Sequence, residues 1–143
     1  MKLFIDTNIV IDVIAAREPF MTASQAILSL CELGKAEGCI SVLTLCTASY
    51  LLRKLVTPVT MREKLQAIRH LLTPVDLSVS ILDKAISSPI ADFEDAIQFY
   101  TAVYCEADYI ITRNMKHFPH ENLPVLTPIA FLALGDRQKS GKK

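Results

Sequence analysis

The chain has 143 residues, of which 51% are hydrophobic, and its 15 basic and 15 acidic side chains give a formal net charge of zero. That length and apolar content specify one domain with a well-buried core. The charge balance excludes a globally basic nucleic-acid binder, so contact with nucleic acid would rest on local patches. The longest uncharged stretch, 38–52, falls short of the ~18 residues of a membrane span. The apolar start breaks at Asp6, too early for a signal peptide. Cys31, Cys39, Cys46 and Cys105 show no Cys-x-x-Cys spacing, which points to reduced, mostly buried thiols in a cytoplasmic protein.

Leu3-Phe4-Ile5 reads as a strand that stops at Asp6, with Thr7 and Asn8 directly after it. Ile9–Ala16 then follows as an apolar helix bearing Asp12. Thr22 to about Lys35 places Ala26, Ile27, Leu30, Cys31 and Leu33 at helical spacing and ends near Gly34. A second strand is expected at 39–43, running directly into a helix from Thr44 to Leu55. Thr60-Met61-Arg62-Glu63 has the form of a capping box, with Leu65, Ile68, Leu71 and Leu72 behind it. Pro74-Val75-Asp76 is a brief third strand, and Asp92–Glu106 a helix with Phe93, Ala96, Ile97, Tyr100 and Val103 on its apolar side. Residues 109–112 form the clearest strand after the first, and 124–126 a last one. Residues 1–135 are expected to fold together, and 136–143 to form a basic, disordered tail.

Strands alternating with helices specify an α/β fold. The expectation is a three-layer α/β/α sandwich around a central, mainly parallel sheet. Such sheets bind ligands beyond the carboxyl ends of their strands, where strand order reverses. Asp6 and Asn114 both fall just past strand tips, and Asp92 and Asp95 share the first turn of a helix, three apart. Each also has a plain structural reading. Asp6 caps the next helix, Asp92 is an N-cap with Asp95 at the third helical position, and Asn114 is a turn residue. Carboxylates drawn together repel, and a hard divalent cation such as Mg²⁺ relieves that repulsion through all-oxygen ligation. His70, His117 and His120 lack paired ligand spacing and read as surface residues. Asp12 and Asp108 read as a helix-face and a strand-entry residue.

Three segments, "LFIDTNIVIDVI", "DFEDAIQFYTAVYCEADYIITRN" and "VLTPIAFL", together resemble the PIN domain family, and most closely its bacterial VapC-like members. The resemblance covers the chain to about Leu134. It implies a Rossmann-like sandwich and a ribonuclease dependent on Mg²⁺ or Mn²⁺. By motif, Asp6, Asp92, Asp95 and Asn114 would be catalytic, with Asp6, Asp95 and Asn114 holding the metal. Asn8, Thr112, Arg113 and Lys116 would meet RNA, single-stranded or structured; Arg17, Arg53, Lys54 and the tail from Arg137 are more distant cations. Thr47 stands where the family usually carries a Glu, after the second strand.

Such proteins are commonly toxins neutralised by a small antitoxin protein, and often homodimers. An alternative stays open, motivated by Thr47 and Asn114: a degenerate, non-catalytic PIN domain that binds RNA or a protein. A third reading takes "IDTN" as weakly similar to the DxDxT of haloacid dehalogenase-type phosphatases. Asn8 then stands where the second acid belongs, and no later lysine motif appears.

Overall fold

The computed structural model describes residues 1–119 and 122–140. Its centre is a five-stranded, all-parallel sheet: β1 (Lys2–Ile5), β2 (Glu37–Ser41), β3 (Thr73–Val75), β4 (Tyr109–Ile111) and β5 (Val125–Leu126). The spatial order is β3-β2-β1-β4-β5, so the direction of winding reverses between β1 and β4. Alternation along the strands assigns the two faces. Leu3, Ile5, Ile40 and Ile111 point into one core, and Phe4, Cys39 and Ile110 into the other.

The first core is closed by α1 (Thr7–Ile14), α2 (Met21–Glu32), α4 (Pro58–Leu71) and α7 (Pro128–Ser140), through Ile9, Val10, Ile27, Leu28, Ile68 and Phe131. The second is closed by α6 (Phe93–Tyr104) through Ala102, together with Phe118, Leu123 and Val125. A smaller cluster of Ile81, Ala85, Ala96 and Ile97 fastens α5 (Val79–Ile86) to α6. Helix α3 (Val42–Leu52) leaves β2 without a loop, because Ser41 ends the strand in extended backbone and accepts from Leu43 N at 3.1 Å. The three-layer α/β/α sandwich with a parallel sheet is therefore the observed fold.

Gly38 on β2 is required by packing. A Cβ there would run into Leu72 Cδ2 and lie 2.7 Å from Cys31 Sγ.

Several expectations are corrected. The second strand ends at Ser41, so Val42 and Leu43 are helical. Helix α4 starts at Thr57-Pro58: Thr57 Oγ1 accepts from Thr60 N, and Pro58 occupies the first turn, where its missing N–H costs nothing. Thr60 thus lies inside the helix and caps nothing. Helix α5, capped by Ser78, is an element beyond those expected. Helix α7 continues to Ser140, so 136–140 are helical; residues 141–143, the rest of the expected tail, and His120 lie outside the described residues. Asp12 is wholly buried, paired with Arg113 across Nε–Oδ2 at 2.6 Å and Nη2–Oδ1 at 3.1 Å.

Candidate active site

Buried polarity gathers at the carboxyl tips of β1 and β4, the switch point of the sheet. Asp6 leaves β1 in extended backbone and caps α1, its Oδ1 accepting from Thr7 N at 2.8 Å. Only 5% of the residue is exposed, and further donors surround the carboxylate. Gln98 Nε2 reaches Oδ1 at 3.3 Å, while Thr112 Oγ1 and Asn8 Nδ2 donate to Oδ2 at 2.7 and 3.3 Å. Gln98 Nε2 also meets Thr7 Oγ1 and Thr44 Oγ1 at 3.0 and 2.9 Å. Side chains from α1, α6 and the end of β4 thus converge on one acid, and Thr44 of α3 holds Gln98 and Thr7 beside it. Among the described residues, none donates to the buried Gln98 Oε1.

Helix α6 supplies the facing wall. Asp92 caps it, with Oδ1 accepting from Asp95 N at 2.9 Å. The Asp95 side chain is 18% exposed, and His117 Nδ1 lies 3.2 Å from its Oδ2. Burial, reinforced by the nearby Asp92 and Asp6, pushes the Asp95 carboxyl up to about 6; His117 opposes the shift and Glu94 adds to it. Glu94 in turn accepts from Thr47 Oγ1 at 3.0 Å, across the gap between α6 and α3.

Asp6, Asp92, Asp95, Asn8 and Asn114 line a single cleft of about 330 Å³. Thr112 is fully buried beneath it and acts on Asp6. Lys116 lies in an adjoining depression of about 490 Å³ that shares Asp92, Asp95 and His117 with the cleft. Arg113 is not with the other candidates: its guanidinium is held by Asp12 and covers the Phe20 ring at 4.0 Å. The cation that does line the cleft is Arg17, which is exposed there. Gln98 and Glu94 also line the cleft, as does His117, which was expected only at the surface. Gln98 sits one helical turn after Asp95 and was within reach of a periodicity argument.

Among the described residues, no three His, Cys, Asp or Glu side chains form a ready-made ion cage. The donor set nonetheless fits a hard divalent cation. It is all oxygen, Asp92 and Asp6 add to the burial that chiefly raises the Asp95 carboxyl, and Gln98, which lines the same cleft, has a buried carbonyl oxygen with no donor among the described residues.

The sequence model of the PIN domain family matches residues 2–116. No curated protein matches the chain in sequence. Among solved structures, the crystal structure of VapBC2 from Rickettsia felis bound to a DNA fragment from their promoter is similar. It is 19% identical over 87% of this chain and 97% of that one, with a TM-score of 0.64. A toxin-antitoxin complex from Klebsiella pneumoniae is 24% identical over 90% and 98%, TM-score 0.66. PAE2754 from Pyrobaculum aerophilum is 13% identical over 95% and 90%, TM-score 0.63. At these identities the three structures establish a shared fold, and the sequence match over most of the chain establishes more: this protein belongs to the PIN domain family.

Proposed function

We propose that this PIN domain hydrolyses RNA phosphodiester bonds with Mg²⁺ or Mn²⁺ and serves as the toxin of a toxin-antitoxin pair. The observation that carries the reading is the convergence of Asp6, Asp92, Asp95 and Asn114, from three separate parts of the chain, on one cleft at the switch point of the sheet. Asp6 and Asp95, with Asn114, would hold the cation, which when bound would make water more acidic and offset charge on a phosphate.

The chain's own residues do the rest. Thr112, Asn8 and Gln98 fix the Asp6 carboxylate in one orientation. Asp92 spends Oδ1 on the helix cap, leaving Oδ2 at the rim to accept the proton of an attacking water. Arg17 in the cleft and Lys116 in the adjoining depression meet phosphates on either side of the cut. The partners expected are RNA, an antitoxin segment that fills the acid-lined cleft, and a second copy of the chain. The Klebsiella structure, itself a toxin-antitoxin complex, supports the second of these.

The test incubates labelled single-stranded RNA with the protein and Mn²⁺, comparing Asp6→Asn. Loss of cleavage in the variant is the expected outcome, and equal cleavage by both proteins rejects the proposed centre. One observation favours a second reading, a module that binds RNA or protein without cutting: Asp6 already has four hydrogen-bond donors around it. RNA protected but left intact in Mn²⁺ would select that reading.

A further inference from the structure

Thr47 and Glu94 come from helices on opposite sides of the cleft and touch each other. Thr47 follows the wholly buried Thr44 by three residues, so both lie on one face of α3. Thr44 is tied into the Asp6 network, and Thr47 is the next residue outward on that face, at the cleft. Its hydroxyl donates to Glu94 Oε1 at 3.0 Å. Glu94 and Asp95 are neighbours on α6 and therefore project about 100° apart, yet both line the cleft. The hydrogen bond to Thr47 draws Glu94 toward the α3 side, while Asp95 stays beside His117.

We propose that Glu94 is a further metal-binding acid of this site, positioned by Thr47 so that its carboxylate occupies the α3 side of the cleft. The arrangement replaces an acid carried by α3 itself with one reaching across from α6. A second observation, from a neutral group, points to a ligand in the same place. Gln98, one turn beyond Glu94 on α6, lines the same cleft and keeps a buried carbonyl oxygen with no donor among the described residues. Water coordinated to a cation supplies such donors. The glutamate and the orphaned carbonyl thus ask for the same occupant, a hydrated hard cation.

This inference rests on the proposed nuclease centre, and the experiment separates the two. Mn²⁺ affinity is measured by titration calorimetry on the wild type, Asp6→Asn, Glu94→Gln, and Glu94→Gln combined with Thr47→Glu. Glu94→Gln keeps the size of a half-buried side chain, and far-ultraviolet circular dichroism checks that each variant is folded. The expected result is a loss of more than about 10-fold in affinity for Glu94→Gln, at least that of a residue that only supports a metal's ligands, with recovery of most of it when Thr47→Glu places an acid on α3. Unchanged affinity in Glu94→Gln, with affinity lost in Asp6→Asn, overturns the role of Glu94 and leaves the nuclease centre standing. Weakened affinity that Thr47→Glu fails to restore overturns the placement on the α3 side. Absence of Mn²⁺ binding by the wild type overturns both.

Discussion

The two walls of the cleft hold their acids in opposite ways. On the β1 wall, Asp6 is buried and enclosed by donors from a backbone amide, a threonine, an asparagine and a glutamine. On the α6 wall, Asp92 is exposed and Asp95 only partly buried; Asp95 faces other acids, with His117 in opposition. The first wall is part of the folded framework, stable with or without an occupant. The second is electrostatically unfinished. A cation between them would leave the first almost unchanged and relieve the second, so mutations on the two sides should have opposite effects on stability even where both abolish activity.

The largest expected effect breaks the framework side. Asp6→Asn should reduce RNA cleavage by more than about 100-fold, beyond the 10- to 100-fold typical of residues that only support a metal's ligands; gel assays of labelled RNA measure it. Removing the partner of a buried charge comes next. Arg113→Ala strands the wholly buried Asp12 and should cost about 3 kcal/mol in denaturant unfolding. If Arg113 instead contacted RNA, the variant would lose affinity for RNA with little change in stability.

Thr112→Val removes the 2.7 Å hydrogen bond to Asp6 and should cost about 2 kcal/mol. The smallest effect has the other sign. Asp95→Asn removes a partly buried charge that also faces Asp92 and Asp6, and should raise stability at pH 7 by about 1 kcal/mol, or about 3 °C in Tm.

The pH dependence follows from the direction of the Asp95 shift. With its carboxyl raised from 3.8 to about 6, the folded protein binds that proton more tightly than the unfolded chain does. This contribution to stability is therefore full below pH 3.8 and lost as pH rises through about 6. Differential scanning calorimetry of wild type against Asp95→Asn should show the two Tm values diverging across that window. Saturating Mn²⁺ at pH 7 should raise Tm in the wild type, by linkage, and not in Asp6→Asn.

Much of this was legible in the sequence because it is local. Asp6 announces itself where an apolar ladder meets a hydroxyl and an amide, and Asp92 with Asp95 has the spacing of an N-cap and its first turn. Parallel strands separated by helices fixed the architecture and, with it, the address of the cleft. What escaped is either short or long-range. Helix α5 has eight residues, little more than two turns, over which periodicity carries little signal. The start of α4 was misplaced because 60–63 fits a capping box, although Thr57-Pro58 supplies a better cap with the ring already at the helical φ.

Arg113 was assigned to RNA from its position after β4, but its carboxylate partner lies 101 residues away in sequence. No spacing rule reaches that far. Arg17, by contrast, comes to the cleft because the chain turns at the end of α1, where its N–H donates to Asp12 O at 2.9 Å. Nothing in the local sequence singles out Glu94, and only the hydroxyl of Thr47 gives it a direction.

The most direct measurement is the anomalous signal of a crystal soaked in Mn²⁺. One peak lying between Asp6 and Asp95, ~2 Å from an oxygen of each, is the result this account requires. A cleft that stays without signal at saturating Mn²⁺, or a peak bound elsewhere on the molecule, would contradict it.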